Sequence, residues 1–481
     1  MASTSQPSSS ENPTSATAKE VEMTGDQQAQ ASIADDAGHV AVPMPGGQRC
    51  LLYKVPKQIW NTDNQDMHKP TYISIGPYSY GENELDNRSQ EWKQQCKNQV
   101  VQDLTEQGNS TALEQMAADD TLVTEVKNYY DTRSFENEEA FRQMMITDGC
   151  FLLVTTLHDI IDPAAVEQAV VDPNHIPNQW DNHFRWHDIL LYGNQLPFHV
   201  VREIYRLLHR NEATEVALNQ KIGKVFADSM LTRYTRRRLT EPGNADNVLH
   251  LCHKLLAPTH PNRSGDGVEM GQWRRATEYR KLRVKFNKRE IGSEGEAQCI
   301  LDVRVVGGDV VEIPSLDLSP ESWRLLRNLM LLENMNKHLG GHVTSYCHFI
   351  SQLACTGADV SLLMKKGIIV HAEANDETAA TKLGNLCDQI IYDPEQDYLK
   401  SDWDKLDKYC RNPGWLVWAK MFGYKDWKNP LVWLGVLVAV TVFVCAILQT
   451  VYTMKSYFKV TDENPGTYLI IIYQTSHPTS R

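Results

Sequence analysis

The sequence predicts a mainly α protein with a small β-hairpin. This is an α+β fold in which one large helical domain is followed by a single C-terminal transmembrane helix. Three observations carry this expectation. Apolar residues recur at helical spacing through much of the chain between residues 48 and 424. Two β-rich runs flank Gly307-Gly308-Asp309. Leu431 to Met454 is a run of 24 residues without a charge. The chain divides accordingly into a disordered tail over 1–47, a mostly helical domain over 48–424, a membrane anchor with an aromatic edge over 425–454 and a short tail over 455–481.

Residues 1–47 are rich in small polar residues and low in aromatics. Such a stretch buries too little apolar surface to offset its ordering entropy. Order begins near Cys50-Leu51-Leu52-Tyr53, and Pro70 to Tyr78 alternates like an extended segment or short strand. Helical stripes follow at Trp92, Cys96, Val100 and Leu104, and at Phe141, Met144, Met145, Asp148 and Leu152. A helical stretch begins at Asp188-Ile189-Leu190-Leu191, breaks at Asn194-Gln195-Leu196-Pro197, and resumes through Val200, Ile204 and Leu208. Pro197 removes a backbone donor, and Asn194 and Gln195 are suited to satisfying the freed groups. Pro258 to Gly271 reads as a loop. Cys299 to Val306 and Val310 to Ile313 form the hairpin arms, since glycine takes positive φ at little cost. Ser319-Pro320-Glu321 opens a helix striped by Trp323, Leu326, Leu329, Met330 and Glu333. Thr356 to Asp359 has capping-box spacing, and a further helix after Asp376 carries Leu383, Leu386 and Ile390.

The uncharged run spans about 36 Å as a helix, against a hydrocarbon core of about 30 Å. Trp415, Trp418, Trp427 and Trp433 crowd its first edge, where amphipathic rings favour the headgroup layer. No secretory signal opens the chain, and Arg411, Lys420, Lys425 and Lys428 before the run outnumber Lys455 and Lys459 after it. Both point to a cytosolic N-terminal domain on the plasma membrane or an endomembrane. The sequons at Asn87, Asn109 and Asn262 point the other way. Ten cysteines without a C-x-x-C pair suit reduced thiols.

The net charge is −13, yet residues 233–289 hold 14 Lys and Arg against five Asp and Glu. Such a block can meet phosphate, anionic lipid or an acidic partner. The overall acidity and the lack of a recognition motif exclude general nucleic-acid binding. No P-loop, G-x-S-x-G or dinucleotide fingerprint is present, so no cofactor, metal, catalytic residue or small-molecule substrate is assigned. His183 with His187, and His338 with His342, stand four apart as metal ligands on a helix would, without the glutamate of a zinc protease. Asp148 and Glu333 lie on apolar stripes. Buried carboxylates there serve either as an acid/base pair with shifted pKa values or as structural anchors, and the absence of a neighbouring nucleophile favours anchors.

Together the segments resemble a plant family known as domain of unknown function 247, or uncharacterised protein family 0481. The marks are Ser74-Ile75-Gly76-Pro77-Tyr78, Met145 to Phe151, Asp188-Ile189-Leu190-Leu191 with Asn194-Gln195-Leu196-Pro197-Phe198, Arg327-Asn328-Leu329 with Glu333, Val343-Thr344-Ser345-Tyr346, Gly367-Ile368-Ile369 and the terminal span. There are departures. Ser79-Tyr80-Gly81 replaces His-His-Gly, Gly193 replaces a usual Glu, Glu333-Asn334 replaces Glu-Gln, and Leu282-Arg283 replaces Ala-Gly before Val284-Lys285-Phe286. The resemblance implies a plant-specific, mostly helical, single-pass membrane protein of no known chemistry. Certain grass members of similar sequence are linked to pollen-side recognition in self-incompatibility. Three readings follow: a membrane-anchored interaction or recognition module with a protein partner, a membrane-tethered hydrolase using Asp148 and Glu333, and an anionic-lipid sensor using residues 233–289.

Overall fold

The computed structural model describes residues 49–62, 67–80, 85–130, 137–156, 187–209, 222–224, 231–237, 245–259, 273–292, 296–411 and 430–463. The expected disordered tail, His183, most of the loop after Pro258 and the ring edge at Trp415, Trp418 and Trp427 lie outside them.

The architecture is mostly helical with a few short strands. Helix α1 (Lys57–Thr62) precedes the extended segment. Helix α2 (Leu85–Glu106) turns Cys96, Val100 and Leu104 inward with Trp92 packed beside them, as its stripe predicts. It packs on α5 (Glu138–Thr156), whose Phe141, Met144, Met145, Asp148 and Leu152 are all buried. Between them stand α3 (Ala112–Ala118) and α4 (Asp120–Lys127), too short to show a sequence period; Asp119 caps α4 by accepting from Thr121 and Leu122 N–H. Helix α6 (Phe198–Leu208) starts directly after Pro197 and crosses α5. The helix expected from Asp188 is only a short turn, because Asn194 and Gln195 draw the following chain inward.

Helix α7 (Val248–Leu255) is capped by Asn247, and α8 (Ala276–Lys281) follows. Three strands then form one sheet in the order β1-β3-β2: β1 (Lys285–Arg289) parallel to β3 (Val310–Pro314), and β2 (Arg304–Val306) antiparallel to β3. The hairpin stands where expected, with Gly307 and Gly308 at φ 61° and 82°. Its first arm is shorter than expected. Asp302 Oδ2 accepts the N–H groups of Gln298 and Cys299 and turns that stretch away from the sheet. A second parallel pair joins β4 (Leu316–Asp317) to β5 (Ile369–Val370).

Helix α9 (Pro320–Met335) begins at Ser319, whose hydroxyl accepts Ser322 N–H. It is buried on almost every side from Ser322 to Glu333, enclosed by α7 and α10 (His342–Leu353). Helix α11 (Gly357–Met364) carries the expected capping box, with Thr356 donating its N–H and hydroxyl to Asp359. Helix α12 (Asp376–Asn385) ends before Leu386, so Ile390 is buried from beyond the helix and not along it. Helix α13 (Lys400–Arg411) contacts β2. Helix α14 (Pro430–Glu463) contains Leu437–Ser456, long and apolar enough to cross a membrane, with none of that stretch buried.

The N-terminal segment is tied to distant parts of the chain. Leu51 donates its N–H to Asn336 Oδ1 at 2.7 Å and receives Asn336 Nδ2 on its carbonyl at 2.9 Å. Cys50 N–H donates to Asp246 at 2.8 Å.

One non-glycine residue has a backbone consequence. Arg283 sits at φ 64°, in the left-handed region that favours glycine. A side chain there costs about 1–2 kcal/mol, while glycine loses about 0.5–1 kcal/mol more chain entropy. Arg283→Gly is therefore expected to stabilise the domain by about 0.5–1 kcal/mol, seen as a raised urea midpoint. An unchanged or lowered midpoint would show that this backbone is not strained.

Candidate functional site

The two sequence-selected carboxylates stand in separate buried networks. Glu333 occupies the last turn of α9, one turn after Leu329 and Met330, and faces the first residues of α10. A helix start leaves N–H groups without partners, and the residue before His342 is Gly341, which has no side chain to offer. Glu333 fills that role from the neighbouring helix. Its Oε1 accepts Val343 N–H at 2.9 Å, and its Oε2 accepts Thr344 N–H at 2.8 Å and the Thr344 hydroxyl at 2.6 Å. His253 Nε2, from α7, lies 2.8 Å from Oε1. His342 Nδ1 lies 3.7 Å from the same oxygen, and the two imidazole rings pack at a tilt of 40° with centroids 4.1 Å apart.

Burial by itself raises the Glu333 carboxyl pKa. The His253 hydrogen bond, the nearby imidazoles and the Thr344 hydroxyl outweigh it and hold the group below the usual Glu range. His342 moves down to about 3, chiefly through burial and then through His253 beside it, so its imidazole is neutral at physiological pH.

Asp148 lies on α5 and pairs with Lys93 of α2. Nζ stands 2.6 Å from Oδ1, with both side chains about 1% exposed. Its Oδ2 accepts Gly76 N–H at 2.8 Å. Gly76 adopts φ 72°, and a Cβ there would meet the Gln195 carbonyl oxygen at 2.4 Å, so this turn admits only glycine.

The extended segment is held by side chains and not by a neighbouring strand. Asp188 accepts the N–H groups of Thr71, Tyr72 and Ile73 at 2.6–3.1 Å. Asn194 Oδ1 accepts Ile75 N–H, while its Nδ2 donates to the Ile73 and Asp188 carbonyls. Gln195 donates to the Ile189 and Leu191 carbonyls and accepts Leu249 N–H. The expectation that Asn194 and Gln195 satisfy the groups freed before Pro197 therefore holds, and their reach extends further.

Asp148 and Glu333 lie on different helices and share no partner among the described contacts. His338 and His342 are not neighbours on one helix, because Gly340, at φ 83°, separates a 3-10 turn (Lys337–Leu339) from α10. His342 instead meets His253, which sequence spacing missed. The only hint was the pair of histidines, His250 and His253, in the buried helix α7. His187 lies 3.9 Å from Glu321. All ten cysteines are free, and burial pushes the Cys50, Cys252 and Cys299 thiols up to about 12, so these three are not thiolate nucleophiles at neutral pH. In the basic stretch, Arg233, Arg274, Arg275, Lys285 and Lys288 each face an acid.

Comparison with known proteins adds a relationship without a chemistry. The model of the DUF247 family, described as plant protein of unknown function, matches residues 52–445. A UPF0481 protein of Arabidopsis thaliana is 22% identical over 441 residues, covering 86% of this chain and 88% of that protein. No solved structure matches.

Proposed function

Because this chain belongs to the DUF247 family of plant proteins, whose function is unknown, we propose that it is a membrane-anchored interaction or recognition module. In this reading α14 crosses the bilayer through Leu437–Ser456, and the helical domain stays on the cytosolic side to bind a protein partner. The observation that carries it is the character of α14. Its described side chains from Leu434 to Met454 are exposed and uncharged, a surface that water penalises and lipid does not. The hydroxyls of Thr441, Thr450 and Thr453 donate to the carbonyls of Leu437, Ala446 and Gln449, so they ask nothing of the surrounding lipid. An interaction role is favoured over hydrolysis because the oxygens of Asp148 and Glu333 are engaged in tying helices together.

Alkaline extraction of membranes tests the anchor. Full-length protein is expected to stay in the pellet, and a chain ending before Pro430 is expected to become soluble. Val440→Asp, near the middle of the span, is expected to cost about 2.5–3.5 kcal/mol of insertion. A truncated chain that still resists extraction would refute the single-span reading. Glycans on Asn109 would refute the cytosolic placement.

A further inference from the structure

Beyond that role, we propose that His253, Glu333 and His342 form a binding site for a divalent transition-metal ion of the zinc class. The three come from three elements, α7, α9 and the first residue of α10, and each places a ligand atom within 4.8 Å of the others. Two imidazole nitrogens and one carboxylate oxygen are a donor set that suits zinc, with a fourth position left for water.

The two gaps to the carboxylate fit an ion with little movement. Zinc bonds of about 2.0–2.2 Å in a tetrahedron set ligand atoms about 3.4 Å apart. His253 Nε2 stands 2.8 Å from Glu333 Oε1 and His342 Nδ1 stands 3.7 Å from it. One gap must open by about half an ångström and the other close by less, both within a side chain's reach.

A second observation concerns the same ring. His342 Nδ1 stands beside the Glu333 carboxylate but too far for a hydrogen bond, so an ion between them would supply the contact that the direct pair lacks. The carboxylate is also fixed in advance, because Val343 and Thr344 hold its oxygens. The N-terminal N–H groups of α10 act against a cation here, but a helix terminus is worth far less than metal–ligand bonds. The ion takes the place of the proton in the His253–Glu333 hydrogen bond, so His253 must present an unprotonated Nε2 to it.

The test uses full-length protein purified in detergent, stripped with a chelator and dialysed. Zinc is added and bound metal measured by elemental analysis; cobalt(II) is added separately and its visible absorption recorded. Stoichiometric zinc, an intense tetrahedral cobalt spectrum and a zinc-dependent rise in melting temperature are expected. His342→Ala removes a ligand whose side chain takes no part in the hydrogen bonds from Glu333 to α10. It is expected to fold, to bind zinc at least 100-fold more weakly and to lose the melting shift. Glu333→Gln keeps an acceptor for α10 and is expected to lose the cobalt spectrum while retaining its helical circular dichroism. Failure of the wild type to take up either metal, or zinc affinity in His342→Ala equal to wild type, would overturn the proposal.

Discussion

Asp188→Ala is expected to destabilise the domain by on the order of 3 kcal/mol, because it leaves the N–H groups of Thr71, Tyr72 and Ile73 without this acceptor, that of Ile73 fully buried. Asp188→Asn keeps one acceptor oxygen but turns an amide N–H₂ toward those donors, so an intermediate loss is expected. The same residue sets a pH dependence. Burial raises the carboxyl pKa from 3.8 to about 6, against the smaller downward pull of the three backbone donors. The folded state therefore holds a proton that the unfolded state has released between those two values. Stability from this group is fully present below about pH 4, falls as pH rises through about 6, and is flat above. The gap between the folded and unfolded values corresponds to about 3 kcal/mol. Urea denaturation of wild type and Asp188→Asn at several pH values isolates the effect, since other groups cancel in the difference. The advantage of wild type is expected to shrink by about that amount from pH 4 to pH 7. A difference independent of pH would mean that Asp188 is charged throughout.

Lys93→Met is expected to cost about 3–5 kcal/mol, the usual loss when one member of a buried ion pair is removed. The methionine fills similar space, so the loss reports the uncompensated Asp148 charge and not a cavity. Adding Asp148→Asn removes that charge while Asn Oδ1 can still accept Gly76 N–H. The double variant is expected to regain most of the stability, which makes the two substitutions strongly non-additive. Thermal melts of the four proteins measure this directly. A single variant that melts like wild type would show that the pair is hydrated.

Much of this was legible in the sequence. The stripes at Phe141 to Leu152 and Trp323 to Glu333 keep one apolar face at helical spacing, and both became buried helices. Strand β1 was not foreseen, because Phe286 is its only apolar residue and alternation needs more than one. Helix α7 is only eight residues long, too short for its pattern to stand out, and with it His253 escaped notice. Residues 70–78 were legible as extended but not as side-chain-held. Their acceptors, Asp188 and Asn194, lie more than 100 residues away, and short-range pattern carries no record of such partners.

The clasp between Leu51 and Asn336 also sets a timetable for biosynthesis. Its two ends are 285 residues apart. At about 5–20 residues per second, translation delivers the second end roughly 15–60 s after the first. Cys50 and Leu52, both buried in the finished protein, must wait through that interval with part of their final surroundings still unmade. A nascent chain in this condition presents apolar surface to the cytoplasm or lumen it emerges into, and its yield should respond to chaperone supply more steeply than its final stability would suggest.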